Sequence, residues 1–188
     1  MLEAVNLQKS FDGKQVIRQF SFRFEDGAHY FLMGPSGCGK TTLCNLLMGL
    51  QKPDAGEVRM PSGTKLSAVF QEDRLLKQMT AQANVALVSS VPKEKIEALL
   101  KELGIDEESL AQPVSTFSGG MKRRVALCRA LLAEFDVLFL DEPYKGLDEE
   151  TRARVMGIVA RYTEGKTVIL VTHDREEADG YERVSLEP

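Results

Sequence analysis

No apolar run in this 188-residue chain approaches the roughly 18 residues needed to cross a bilayer. The most apolar stretches, Val137 to Leu140 and Thr167 to Val171, are strand-sized, so the chain reads as soluble. A strong charge of one sign is also missing. The 24 basic residues against 28 acidic ones leave a net charge of -4, which excludes the broad cationic field that drives nonspecific binding to DNA or RNA. Nucleic acid is therefore not an expected partner. The start, MLEAVNLQKS, carries Glu3 and lacks the basic-then-apolar plan of a secretion signal, which points to the cytosol. Cysteine is scarce. Cys38, Cys44 and Cys128 form neither an even set nor a C-x-x-C pair, so a disulfide framework is excluded and free thiols are expected. There is no internal repeat and no low-complexity linker, and the length suits one domain with a full core.

What the chain does contain is a regular succession of strands ending in polar residues. Phe20, Phe22 and Phe24 alternate with Ser21 and Arg23 as in a half-buried strand, and Asp12-Gly13 supplies a turn before it. This predicts a small N-terminal β layer. Tyr30 to Met33 is an apolar run that stops at Gly34, and Lys40 to Leu50 reads as a helix. Further strands are predicted at Leu66 to Phe70, Val137 to Leu140 and Val168 to Thr172, followed by Gln71, Asp141 and His173. In an open parallel sheet such strand ends line the ligand crevice, gathering Gln71, Asp141, Glu142 and His173. Between Gln71 and Phe117, Ile96, Leu99, Leu100 and Leu103 recur at helical spacing, predicting an inserted helical subdomain. Val155, Ile158, Val159 and Tyr162 give another amphipathic helix, and Arg183 to Leu186 a last strand.

Two glycine-rich loops carry the chemistry. Gly34-Pro35-Ser36-Gly37-Cys38-Gly39-Lys40-Thr41 fits G-x-x-x-x-G-K-[ST] between a strand and a helix. Its glycines let backbone N–H groups turn inward around phosphate oxygens, the helix N-terminus adds partial positive charge, and Lys40 neutralises the β and γ phosphates. Thr41 is expected to hold Mg2+ through its hydroxyl. Thr42 is placed either to reach the α-phosphate or as an ordinary first-turn residue. Cys38 sits at a variable position of the loop and reads as a small filler. VLFLDEP brings Asp141 and Glu142 to the end of a buried strand, where alternation of side chains gives them different tasks. Asp141 is assigned to the metal and Glu142 to the attacking water. FSGGM precedes a helical pattern, so Ser118, Gly119 and Gly120 would form a second N-terminal anion site.

With both loops in this order, the chain resembles the ATP-binding cassette (ABC) family over almost its whole length. Gly34 to Thr41 looks like the Walker A loop, Gln71 the Q-loop glutamine, Phe117 to Met121 the signature, Val137 to Pro143 the Walker B strand, Asp148 the end of the D-loop, and His173 the switch histidine. The resemblance implies an α/β fold, a P-loop NTPase core with a mostly parallel sheet, an N-terminal antiparallel β layer and an inserted helical subdomain. The core would be 1–71 and 117–188, with the helical subdomain at about 72–116, in a single 1–188 domain. It further implies ATP and Mg2+ as cofactors, with Thr41, Gln71 and Asp141 around the metal and Glu142, His173 and Gln71 serving hydrolysis. Phe11 matches the aromatic that stacks on adenine in this family, and reads equally as a hairpin core residue. The implied assembly is a head-to-tail homodimer, in which Asp148 contacts the opposite subunit, docked on membrane permease subunits with a solute-binding protein. That location is the cytoplasmic face of the cell membrane.

FQEDRLL, from Phe70 to Leu76, together with GGMKRRVALCRALL, is similar to the importer ATPases of the nitrate, sulfonate and taurine branch. Met121 stands where the widespread signature has Gln, a replacement common in that branch, and Lys145 replaces a small residue before the D-loop and reads as a solvated side chain. The competing reading is a soluble ABC-type ATPase serving a non-transport complex. Such proteins usually bring a long coiled-coil insertion or a tandem cassette, and neither pattern occurs in this sequence.

Overall fold

Asp12 and Gly13 turn the chain back on itself as the sequence predicts. Both have positive φ, 50° and 78°, and Phe11 pairs with Lys14 across the turn, so the two-residue loop has the twist that suits an antiparallel hairpin. In the computed structural model, which describes residues 1–186, the hairpin joins β1 (Leu2–Phe11) to β2 (Lys14–Phe24). Next come β3 (His29–Met33), α1 (Lys40–Leu47), β4 (Ala55–Arg59) and β5 (Leu66–Val69). Helices α2 (Ala81–Ala86), α3 (Lys93–Glu102), α4 (Glu107–Leu110) and α5 (Gly119–Leu132) follow. The chain then alternates β6 (Val137–Asp141), α6 (Glu149–Tyr162), β7 (Thr167–Val171) and β8 (Glu182–Ser185). Glu187 and Pro188, which end the expected domain, lie outside the described residues.

These elements form two compact units. The first comprises Met1–Leu66, Asp136–Asp141 and the residues from Gly165 onward. It holds an antiparallel sheet in the order β2-β1-β4 and the strands β6-β7-β3-β8 of the parallel sheet. Every residue of β6 and β7 is buried, as strands covered on both faces require, which is why their sequences are continuous apolar runs instead of alternating ones. In β2, by contrast, Phe20 and Phe22 are half-buried and Phe24 fully buried, so the period of two is legible there. Phe24 and Tyr30 pack edge to face, with centroids 5.1 Å apart, and the Tyr30 hydroxyl accepts a bond from the Glu25 N–H at 2.8 Å. The helix expected to reach Leu50 stops at Leu47. Met48, Gly49 and Leu50 donate to the carbonyls of Cys44, Leu46 and Asn45, closing its last turn instead of extending it.

The second unit comprises Ser67–Phe135 and Glu142–Glu164. Ile96, Leu99, Leu100 and Leu103 are buried as their spacing predicts, and α2, α3 and α5 pack on one another. The fully buried Asn84 ties this packing to the segment before it. Its Oδ1 accepts from Leu76 N–H at 2.7 Å, while Nδ2 donates to the carbonyls of Leu76 and Thr80 at 3.1 and 3.0 Å. A buried amide is tolerated there because its groups are satisfied. Among the described residues, no helix is long and apolar enough to cross a membrane.

Candidate functional site

In the first unit, the loop after β3 is shaped by close backbone approach. A Cβ on Gly39, which has φ 103°, would lie 2.8 Å from Val16 Cγ1 and 2.9 Å from Ile17 Cδ1, and one on Gly34 would lie 2.9 Å from the Leu186 carbonyl oxygen. Gly39→Ala therefore combines a left-handed backbone with a clash. It is expected to lower stability by about 1–3 kcal/mol, measured by urea denaturation; an unchanged midpoint would contradict this account of the loop.

Gly39 is also the N-cap of α1, whose first turn carries no side-chain cap and no acidic residue. Lys40 begins that helix and is 7 % exposed. Its ammonium donates to the carbonyls of Gly34 and Pro35 at 2.8 and 3.0 Å, and no carboxylate pairs with it among the described residues. It also reaches Cys38 Sγ at 3.9 Å, and a buried cation held by neutral groups favours an anion strongly. Pro35, Ser36 and Gly37 are exposed at the loop's crest. Cys38 is buried beneath it, against Gly34, and takes the filler role expected of it. Cys44 and Cys128 are buried too, and burial pushes both thiols up, with Asp141 adding to the effect at Cys44, so they stay protonated. All three cysteines are free thiols.

Thr41 donates its hydroxyl hydrogen to Asp141 Oδ2 at 2.8 Å, joining the start of α1 to the end of β6, residues far apart in the chain. Asp141 is 8 % exposed. Two hard oxygen donors brought together beside a phosphate loop fit Mg2+, which commonly takes one or two protein oxygens and completes its shell with phosphate and water. Thr42 lies in the first turn of α1 and is half-buried. Phe11 ends β1 with 43 % of its surface exposed and Lys9 Nζ 5.5 Å from its ring centroid. Its exposure is not that of a hairpin core residue, and Lys9 lies over the ring. His173 follows β7 and is exposed. Its turn is built by Thr172, whose hydroxyl donates to Glu177 and accepts from the Asp174 N–H at 3.1 Å. His29 lies in β3 beside Tyr181, with ring centroids 5.0 Å apart.

One detail of the carboxylate pair differs from the expectation. Strand alternation was to set the directions of Asp141 and Glu142, but β6 ends at Asp141 and Glu142 has φ 52°. Its direction therefore comes from a left-handed backbone, a conformation rare for a residue without a short polar side chain and one that clusters at functional sites. The same turn lets the Glu142 carbonyl accept from Lys145 N–H at 3.3 Å.

In the second unit, Ser118 is the N-cap of α5 and its Oγ accepts from Met121 N–H at 3.2 Å. The cap uses the backbone of Met121, so it does not depend on the side chain at that position. The first turn of α5 carries no acidic residue, and Gly120 approaches Gly146, where a Cβ would lie 3.2 Å from the carbonyl oxygen. Gln71, Ser118, Gly119, Gly120, Lys145 and Asp148 line one cleft of this unit. Lys145 is exposed, as expected of a solvated side chain. Asp148 caps α6 by accepting from Thr151 N–H at 2.9 Å, and that bond holds its carboxyl below the usual range.

Several contributors escaped sequence reading. Arg123 and Arg129 carry no motif that singles them out, yet Arg123 is 5 % exposed and both donate to the backbone around Gln71. Arg124 donates to the carbonyls of Gly120, Leu103 and Gly104, pinning the start of α5.

The chain is similar to known proteins. The spermidine/putrescine import ATP-binding protein PotA of Fusobacterium nucleatum is 33% identical over 195 residues, covering 94% of this chain and 52% of that protein. The aliphatic sulfonates import ATP-binding protein SsuB 1 of Pseudomonas fluorescens is 40% identical over 181 residues, covering 94% of this chain and 69% of the relative. The chain thus spans about half the length of the longer relatives it matches. Among solved structures, the dimeric post-hydrolysis state of the ATP-binding cassette MJ0796 bound to ADP and Pi superposes with a TM-score of 0.89 at 27% identity, covering 100% of this chain and 94% of that one. Residues 17–145 match the family described as ABC transporter. With the fold, both glycine loops and these relatives in agreement, the chain belongs to the ABC transporter family.

Proposed function

We propose that the chain is the ATP-binding and ATP-hydrolysing subunit of an ABC importer, coupling hydrolysis in a head-to-tail dimer to transport by a separate membrane permease. The observation that carries the reading is the buried Lys40 ammonium at the start of α1, with no carboxylate partner among the described residues, beside the Thr41–Asp141 pair. Such a cation is matched by the β and γ phosphates of a nucleoside triphosphate. In this reading the loop N–H groups and Lys40 bind the phosphates, Phe11 stacks on the base, and Glu142 orients and polarises the attacking water. His173 contacts the γ-phosphate. Thr41, Asp141 and Gln71 would hold Mg2+, which when bound neutralises charge on the β and γ oxygens. Ser118, Gly119 and Gly120 face the nucleotide of the opposite subunit. That subunit is a second copy of this chain, so the domain 1–188 works only in pairs, with its 72–116 segment facing the permease. The sulfonate importer relative supports the placement in that importer branch, and a solute-binding protein is the further partner of this reading.

Ser118→Arg tests the second loop. It is expected to abolish the ATP-dependent dimer seen by light scattering while leaving nucleotide affinity of the monomer within about twofold, because α1 and its loop are untouched. Loss of the cap itself costs about 0.5–2 kcal/mol. Normal dimerisation and ATP hydrolysis by the Ser118→Arg variant would remove Ser118 from the site. For the assembly, purification from native membranes is expected to recover permease subunits and a solute-binding protein; recovery with a non-membrane complex would overturn the importer reading.

A further inference from the structure

The segment after β5 has an unusual source of order. Four of its carbonyls are held by two arginines of α5. Arg123 donates through Nη1 to Phe70 O and through Nη2 to Gln71 O, both at 2.6 Å. Arg129 donates through Nη2 to Asp73 O at 2.9 Å and through Nη1 to Arg74 O at 2.7 Å. The Arg123 guanidinium is also 3.2 Å from Asp73 Oδ1, although that oxygen receives no aligned hydrogen bond. The loop closes on itself as well, with the Arg74 guanidinium 3.7 Å from the Phe70 ring centroid and Arg74 in a left-handed backbone, φ 48°.

We propose that Arg123 is a positioning residue for Gln71, fastening its backbone to the helix that begins at Ser118, so that the Q-loop and the signature loop move as one body. The proposal rests on the reading of Gln71 and Ser118 given above. Two geometric facts carry it. A guanidinium presents two parallel donors in a fixed plane, so gripping adjacent carbonyls fixes both the position and the rotation of that peptide. Arg123 lies five residues beyond Ser118 on one unbroken helix, about 7.5 Å along its axis, which leaves no hinge between clamp and signature. Because Arg123 is 5 % exposed, releasing those carbonyls would leave its guanidinium buried with few acceptors, an arrangement that disfavours independent motion of the loop. Gln71 is thereby presented only when α5 is seated, and a displacement of one loop is transmitted to the other.

The test combines hydrogen exchange with a double-variant cycle in the full chain. In the nucleotide-free protein, Arg123→Ala is expected to speed amide exchange of residues 71–75 about tenfold or more relative to the rest of the chain. Its kcat for ATP is expected to fall about tenfold with KM within about twofold. In the Gln71→Ala background the same substitution should lower kcat by no more than about twofold, since coupled residues do not add. Unchanged exchange at 71–75, a loss confined to KM, or losses that multiply would each overturn the proposal. Wild-type kcat in Gln71→Ala alone would overturn the Gln71 assignment, and this failure is distinguishable because it appears without any change at Arg123. Should Arg123→Ala not fold, Arg123→Lys carries the same measurements. It keeps the charge but cannot grip two carbonyls in one plane, so the same losses in smaller degree are expected, and wild-type behaviour in every readout would overturn the role of the bidentate grip.

Discussion

Glu142→Gln is expected to bind ATP with wild-type affinity, to lower kcat by about 10²–10⁴, and to accumulate as an ATP-bound dimer. The amide keeps the volume and the backbone demand of the glutamate but cannot take a proton or polarise water as a carboxylate does. Because β6 ends one residue earlier and Glu142 has φ 52°, the variant also isolates chemistry from conformation. A companion variant sharpens this: Glu142→Gly is expected to lose hydrolysis while keeping or gaining stability, since a left-handed backbone strains glutamate and not glycine. Single-turnover hydrolysis, nucleotide titration and light scattering report the separate parts. Hydrolysis at the wild-type rate by Glu142→Gln would remove Glu142 from its role, and a stability loss in Glu142→Gly would show that the side chain is structural.

Lys40→Ala is expected to act earlier, at binding. Each charge-assisted hydrogen bond contributes about 1.5–3 kcal/mol, so losing the ammonium should weaken affinity for ATP by one to two orders of magnitude, roughly 10–150-fold for one such bond. Lys40 already bonds Gly34 O and Pro35 O, so binding exchanges neutral acceptors for phosphate oxygens. The substitution should therefore harm triphosphate more than adenosine, because the base and sugar do not need the ammonium. Isothermal titration with ATP and adenosine checks both parts. Equal losses for the two ligands would mean that the loop had collapsed rather than that a phosphate contact was missing.

Much of the fold was legible in the sequence because its signals are local. Asp12-Gly13 encodes its own turn, the apolar runs at 137–140 and 168–171 are long enough for strands and too short for most helices, and Ile96, Leu99 and Leu100 share a helical face. The residue types of both glycine-rich loops were legible for a similar reason: glycine next to a helix start determines what the backbone N–H groups can do. The end of α1 was less legible, since hydrogen bonds from Met48 to Leu50 decided it within a sequence that still looks helical. Phe11 was ambiguous until its ring proved exposed, a property of what packs against the hairpin and not of the hairpin's own residues.

The sequence by itself determined the family, the two loops and the identities of Lys40, Thr41, Asp141, Glu142 and Ser118, because those depend on residue type, spacing and the order of elements. The tertiary structure alone decided three further arrangements. Thr41 meets Asp141 across 100 positions of the chain, Lys40 is buried with no carboxylate paired to it among the described residues, and Arg123 is buried and holds the backbone of Gln71. Charge is visible in a sequence, but the acceptors that satisfy a charge come from segments folded against it, and only packing selects them.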